Sequence, residues 1–200
     1  MRLPVHRPFV SVLLVVAACA TATERPASDL PPTRVLPPYT EADVAFMMGM
    51  IHHHAQAVLM ASWAPSHGAS PTLQTLAERI DVSQKDEIAL MSRWLRERGL
   101  PVPSADPAHS MHGPLMPGML TPEQLAELDR ARGTEFERLF LTFMIHHHQG
   151  AITMAEDLFA APGAAQEDAI FRFASDVYAD QMAEIDRMTQ MLDNLPSGGR

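Results

Sequence analysis

Apolar side chains recur at helical spacing in four long stretches of this chain. The clearest stretch has its inward positions at i, i+3, i+4, i+7, i+10 and i+11, and they are Met50, His53, His54, Ala57, Met60 and Ala61. This spacing is typical of an amphipathic helix that buries one face. Together with capping residues and Gly or Pro breaks, the pattern predicts long helices over residues 40–63, 70–98, 134–161 and 165–194, and a short one over 121–132.

The first and third long helices are two copies of one unit. Residues 50–54, Met-Ile-His-His-His, return as Met-Ile-His-His-His at 144–148, and matched positions are 94 residues apart. Thr134 lies 94 residues beyond Thr40 and is expected to cap the second copy, with Glu137 at the third helical position. A repeat of this kind indicates one supersecondary unit used twice. We therefore expect an all-α bundle of two antiparallel hairpins, residues 40–98 and 134–194, joined by a long crossover.

The buried face of each copy combines imidazoles with thioethers, which are ligands for soft or borderline metals, above all copper. The candidate ligands are His53, His54, Met50 and Met60 in the first copy and His147, His148, Met144 and Met154 in the second. Zinc and iron remain alternatives to copper. His52 and His146 lie about 100° round their helices and are expected at the rim, as secondary candidates. The structural alternative is that the methionines fill the core and the histidines are hydrogen-bonded core residues.

The second and fourth long helices also match each other. Gln84-x-x-Glu87 in one parallels Gln181-x-x-Glu184 in the other. Histidines that bind a metal usually donate their other ring N–H to a carboxylate or carbonyl, so these four residues are candidates for that supporting role. The alternative is that they are solvated residues at the edge of a helix interface.

The connection over residues 99–120 has no helical pattern but carries five further donors, which are His109, Met111, His112, Met116 and Met119. Long loops without secondary structure are often functional, so this segment is a candidate for a second metal site, flexible and open. It is equally consistent with a loop whose methionines cover one end of the bundle.

The beginning of the chain has the pattern of an export signal. Arg2 and Arg7 precede a short apolar run that ends in Val-Ala-Ala-Cys at residues 16–19. The small residues before Cys19 resemble a bacterial lipoprotein signal. We therefore expect residues 1–18 to be removed, Cys19 to carry a lipid anchor, and residues 19–39 to tether the domain to a membrane on the periplasmic or cell-surface side. Cleavage of an ordinary signal peptide after Ala18, Ala20 or Ala22 is the alternative, and it also predicts export.

The formal net charge of −9 argues against a nucleic-acid partner, whose phosphates this surface would repel. The sequence contains no nucleophile–base pattern and no glycine-rich phosphate loop, so no catalytic residue is predicted. A metal ion and, through the lipid anchor, a membrane are the expected partners, and no protein partner is indicated.

The paired pattern Met-Ile-x-His-His-x-x-Ala, followed each time by Met-Ala and then by Gln-x-x-Glu-Ile-x-x-Met, resembles the bacterial domain-of-unknown-function 305 family. Its better understood members are CopM-like periplasmic copper-binding proteins. Met-Pro-Gly-Met at residues 116–119 also resembles the segment between that family's repeats. The resemblance covers roughly residues 40–192 and implies a ferritin-like four-helix bundle with the His-His pairs at 53–54 and 147–148. The chain departs from the family at His52 and His146, where proline is frequent.

Three functions follow from these patterns. The first is an exported copper-binding protein that buffers, delivers or confers resistance to Cu(I) or Cu(II) at the cell envelope. The second is a metal-free helical interaction module. The third and weakest is a ferritin-like metal-dependent oxidase, since the Glu-x-x-His pattern of such di-iron sites is absent from this sequence. The metal content of the purified protein distinguishes the three.

Overall fold

The computed structural model describes residues 36–106 and 115–196, and the regular secondary structure in these ranges is helical. The helices are α1 (Glu41–Ser62), α2 (Pro71–Glu97), α3 (Pro122–Arg130), α4 (Gly133–Ala160) and α5 (Asp168–Asp193). Across the described ranges, none of them is both long and apolar enough to cross a membrane. The expected signal peptide, Cys19, and the donors His109, Met111 and His112 lie outside the described residues.

Three of the five helices begin where the capping residues predict. The Thr40 side chain accepts from the Asp43 backbone N–H, and the Asp43 carboxylate accepts from that of Thr40, which completes a capping box at α1. Ser70 caps α2, with proline at its first position. Thr121 caps α3 in a second capping box.

The starts of α4 and α5 differ from the prediction. Thr134 is not a cap, because α4 already begins at Gly133. The Glu137 carboxylate instead accepts from the Ser70 backbone N–H at 2.5 Å. It therefore stabilises the start of α2, although the local sequence predicts that it caps α4. The last helix begins at Asp168 rather than near 165, because Ala165 adopts a φ of +54° and donates its N–H to the buried Asp43 side chain. Tertiary contacts decide both boundaries.

The chain forms two helical hairpins, α1–α2 and α4–α5, which pack against each other mainly through α1 and α4. Two apolar clusters fill the space between the helices, and each contains side chains from both hairpins. Met60, Leu73 and Phe140 belong to one cluster, and Phe46 and Met91 belong to the other. Neither hairpin therefore has a core of its own.

A buried ion pair joins the end of α2 to the turn before α5. The Arg98 guanidinium lies 2.6 Å from Glu167, and the Trp94 indole N–H donates to the same carboxylate at 3.0 Å. Arg98 also stacks over the Trp94 ring, 4.0 Å from its centroid. Since both charged side chains are almost fully buried, they depend on each other for compensation.

Candidate metal centre

Four histidines form a layer between the two apolar clusters. On α1 the clusters occupy residues 46–51 and 57–61, and on α4 they occupy 136–144 and 151–158. The gap between them holds His53, His54, His147 and His148, each with 0% of its surface exposed. We call these four residues the histidine layer. A buried imidazole is costly unless its polar atoms are satisfied, so the partners of each ring determine what the layer can do.

The two outer histidines each pair with a carboxylate from the neighbouring helix of their own hairpin. His54 donates its Nε2–H to Glu87 at 2.5 Å, and His148 donates its Nε2–H to Glu184 at 2.6 Å. The Nδ1 atoms of both rings have no hydrogen-bond partner among the described residues. This arrangement fixes the tautomer and leaves one lone pair for a ligand, as in the carboxylate–histidine pairs of metal sites.

The two inner histidines stack on each other where α1 meets α4. The ring centroids of His53 and His147 are 3.8 Å apart. His53 donates its Nε2–H to the carbonyl oxygen of Pro117 at 3.0 Å, and its Nδ1 has no partner in the described part of the chain. Neither ring nitrogen of His147 makes a hydrogen bond of good geometry to a described residue.

Burial keeps the inner pair neutral. Desolvation, reinforced by neighbouring His54, lowers the pKa of His53 to about 3. Desolvation and the surrounding imidazoles, His53 first among them, hold the pKa of His147 well below its ordinary value, and a backbone contact with His53 offsets this only in part. At neutral pH both rings are therefore in the unprotonated form that binds metals.

Three of the four methionines predicted beside the histidines are buried, and the fourth is not. Met50, Met60 and Met144 are completely buried. Met154, the repeat partner of Met60, is only partly buried and lies with Met116 in an open groove of about 310 Å³. A side chain at Gly49 would lie 3.2 Å from the Met116 sulfur and 3.3 Å from the Met154 methyl group, so this glycine makes room for both. Met154 packs against the edge of the second apolar cluster and is therefore only partly directed into the core, unlike the other three.

The last six residues of the linker, 115–120, pack between α1 and α4. The Gln56 side-chain amide accepts from the Leu120 backbone N–H at 2.8 Å and donates to the Leu120 carbonyl oxygen at 3.1 Å. A Cβ at Gly150 would lie 2.0 Å from the Pro117 carbonyl oxygen, so only glycine permits this approach. Met119 is buried here and Met116 is partly buried. Of the two alternatives for the linker, this part fits the packed one rather than the flexible, open one.

These linker contacts are hard to recognise from the sequence. Gln56 and Gly150 are 94 residues apart and occupy equivalent positions of the repeat. A single linker cannot make the same contacts with both copies of the repeat. Gln56 in the first copy therefore hydrogen-bonds the linker, and Gly150 in the second copy leaves room for the linker backbone. The difference between glutamine and glycine at these equivalent positions is the sequence feature that could have indicated the linker contacts. Of the two histidines expected at the rim, His52 is partly buried and His146 is exposed.

The donor atoms fit a soft or borderline metal, although they are not gathered around one point. Nδ1 of all four histidines and Nε2 of His147 are buried without partners among the described residues. Within residues 36–106 and 115–196, no three His, Cys, Asp or Glu side chains are grouped as ligands of one ion. Binding there requires a change in ring orientation or the participation of thioethers, which Met50 and Met144 offer one helical turn before the histidines.

The fold and this layer define a class of helical protein with two repeated hairpins and a buried histidine layer. The family model for a domain of unknown function, DUF305, matches residues 43–192. The chain therefore belongs to the DUF305 family.

Solved structures of the same class are similar to this protein. A DUF305 fragment from Deinococcus radiodurans is 31% identical, with a TM-score of 0.68, and the match covers 80% of this chain and 100% of that one. CopM in its Cu(II)-bound form is 31% identical, with a TM-score of 0.63 and coverage of 76% and 96%. CopM in its Cu(I)-bound form is 28% identical, with a TM-score of 0.62 and coverage of 80% and 100%.

A curated relative matches over a shorter stretch. Uncharacterized protein L153 of Acanthamoeba polyphaga mimivirus is 38% identical over 58 residues, which is 29% of this chain. The match spans little more than a third of that relative's length, 38%.

Proposed function

We propose that this protein binds copper, and that it buffers, delivers or confers resistance to copper at the cell envelope. The observation that carries the proposal is the set of buried ring nitrogens without partners in the histidine layer. Each outer ring is held by a carboxylate through Nε2, and Nδ1 remains available as a ligand. The similarity to CopM, which has been solved with Cu(I) and with Cu(II), supports copper over zinc or iron.

The proposed ligands are His53, His54, His147 and His148, with the thioethers of Met50 and Met144 as soft partners. Imidazole accepts copper in either oxidation state, whereas thioethers favour Cu(I). Met60 belongs to the same buried face. Met116 and Met154, which share the groove at Gly49, are proposed as a separate and more accessible thioether pair.

The location of the protein and its detailed architecture are part of the same proposal. We infer that the two hairpins form a ferritin-like four-helix bundle, since each apolar cluster draws on both hairpins. The Val-Ala-Ala-Cys pattern supports export and a lipid anchor at Cys19. An envelope location would place the protein where it meets incoming copper.

One observation favours a metal-free alternative. The histidine layer is closed to solvent, and its inner rings stack on each other rather than around a common point. In that case the imidazoles would be structural, and the protein would act as a helical interaction module. The two functions are distinguished by whether substitution of the four histidines lowers the affinity for copper.

The test is a Cu(I) titration against a competing chelator, together with circular dichroism to follow folding. Two double variants are compared with wild type: His53→Gln with His54→Gln, and His147→Gln with His148→Gln. Glutamine retains a hydrogen-bonding amide and limits the structural loss. The exposed His146→Gln is the matched control. We expect both double variants to bind Cu(I) much more weakly while they remain helical.

Other outcomes assign the site differently. Loss of binding only in a Met116→Leu, Met154→Leu variant would move the site to the thioether groove. Unchanged binding in every variant would leave the histidine layer as core structure and would contradict the proposed copper ligands.

A further inference from the structure

A cavity of about 580 Å³ lies at one end of the bundle, between the start of α2, the first half of α4 and the end of α5. Small-molecule sites usually have volumes of about 300–1,000 Å³. Its lining combines apolar and charged side chains, which include Leu73, Leu141, Met191, Leu195, Glu137 and Arg187. The cavity therefore has the size and the mixed chemistry of a ligand site.

Glu137 is a buried carboxylate without a countercharge. It is only 9% exposed, and its Oε1 accepts from the Ser70 backbone N–H. Its Oε2 accepts no hydrogen bond from the described residues, and no Lys, Arg or His among them forms an ion pair with it. A buried charge is costly unless it is paired, so this carboxylate is suited to a cationic ligand.

The first copy of the repeat shows how an equivalent carboxylate is fully satisfied. Asp43 lies 94 residues before Glu137 and is its counterpart. Its Oδ1 accepts from the Ala165 N–H at 2.7 Å. Its Oδ2 accepts from the Thr40 N–H at 2.7 Å and from the Thr40 hydroxyl at 2.8 Å. Because Thr134 is not a cap, Glu137 lacks the second set of bonds and keeps one unused oxygen.

The outer helices show which groups fill the equivalent space in the first copy. Since α2 and α5 match at an offset of 184 − 87 = 97 residues, Met191 corresponds to Trp94 and Leu195 corresponds to Arg98. The Trp94 indole and the Arg98 guanidinium are almost fully buried, and both bond Glu167. Met191 and Leu195 carry neither a ring nor a charge. The cavity therefore lies where the other half of the repeat holds a guanidinium paired with a carboxylate.

We propose that this cavity binds a small organic cation of the guanidinium class, and that free arginine has the matching chemistry. The ligand's guanidinium bonds Oε2 of Glu137, and its aliphatic stem packs on Met191 and Leu195. Arg187 is exposed and forms no ion pair with a described residue, so it is available to the ligand's carboxylate. The site is separate from the histidine layer and does not depend on the proposed copper function.

The test is isothermal titration calorimetry of the metal-free protein with L-arginine, and with L-citrulline as the uncharged analogue. Metal-free protein is required because Cu(II) itself binds the nitrogen and oxygen atoms of amino acids. Glu137→Gln removes the charge and retains an acceptor for the Ser70 N–H. Glu135→Gln is the matched control, since it makes the same charge change at an exposed position of the same helix. We expect wild type and the control to bind arginine at least tenfold more tightly than citrulline, and Glu137→Gln to lose this preference.

A second variant supplies the missing group from the chain itself. Leu195→Arg introduces the residue of the equivalent position, Arg98, and should abolish arginine binding and raise the melting temperature. Leu115→Arg is the control, because it makes the same change at an exposed leucine outside the cavity.

The chain's own Arg200, four positions after Pro196, is a second source of a guanidinium, so Arg200→Ala is titrated as well. Arginine binding by Arg200→Ala but not by wild type would support the site and identify Arg200 as its occupant. Absence of binding in both proteins, or equal affinity for arginine and citrulline, would overturn the proposal. Unchanged arginine affinity in both Glu137→Gln and Leu195→Arg would also overturn it.

Discussion

The imidazole rings of His53 and His147 stack with their centroids 3.8 Å apart, at the contact between α1 and α4. The two residues are 94 positions apart and are equivalent in the repeat. Their contact therefore joins the two copies at matching depth, between the two apolar clusters. It also places two neutral, fully buried rings where protonation is strongly unfavourable.

The first prediction concerns pH. In the folded protein the pKa of His53 is lowered to about 3, and the pKa of His147 is also lowered. Below about pH 6.5 the unfolded chain therefore binds more protons than the folded protein does. Stability should be full above about pH 6.5 and should fall as the pH decreases towards 3, by up to about 1.4 kcal/mol per pH unit for each ring. Urea denaturation of the metal-free protein between pH 7 and 4 measures this.

The control for that prediction removes the titrating groups. A His53→Gln, His147→Gln variant should show a shallower decline in stability with pH, whereas the exposed His146→Gln should follow wild type. Parallel curves for all three proteins would show that other groups determine the acid sensitivity.

The second prediction concerns the carboxylates that hold the outer histidines. Glu87→Gln and Glu184→Gln should each lower copper affinity about 10- to 100-fold, because the ring loses its charged acceptor and its fixed tautomer. Asp86→Asn and Asp186→Asn are matched controls, since they make the same charge change at exposed positions of the same helices. If chelator competition gives all four variants the same affinity, the glutamates do not support a metal site.

The third prediction concerns the approach of the linker to α4. Gly150→Ala should destabilise the protein by about 2 kcal/mol or more, because the new methyl group would overlap the Pro117 backbone. Gly49→Ala, also within a helix, meets only the flexible ends of Met116 and Met154 and should stay within about 1 kcal/mol of wild type. Thermal denaturation distinguishes the two, and equal stabilities would mean that the linker can move away without cost.

The fourth prediction concerns the buried ion pair at the end of α2. Glu167→Gln should cost about 3–5 kcal/mol, because Arg98 would keep its charge without a countercharge. Arg172→Gln, which breaks the exposed contact with Asp168, should change stability little. Chemical denaturation provides both values. A small effect at Glu167 would indicate that the Trp94 ring alone is enough to hold the guanidinium.

The local sequence was sufficient to predict where most of the helices begin and end. Caps such as Thr40, Ser70 and Thr121 act through atoms three residues away, so they can be recognised without knowledge of the fold. Thr134 shows the limit of that argument. Glu137 has the position and the chemistry of a capping-box partner, but it bonds Ser70 from another helix.

The candidate site was predictable to the extent that the repeat constrains it. The helical period and the 94-residue offset direct the four histidines into one shared core, and the match between α2 and α5 places Glu87 and Glu184 beside them. The helical period does not specify which ring nitrogen of each histidine is hydrogen-bonded, or how far apart the imidazole rings are. Those quantities depend on how the two hairpins meet.

The sequence by itself determined the helices, the repeat and the buried faces, because these depend on spacing along the chain. Only the tertiary structure decided that His53 stacks on His147, that Met154 faces a groove with Met116, and that the linker lies against Gly150. The physical reason is that two equivalent hairpins share one linker. The linker can cover only one side of their contact, so the symmetry in the sequence is broken wherever the linker packs.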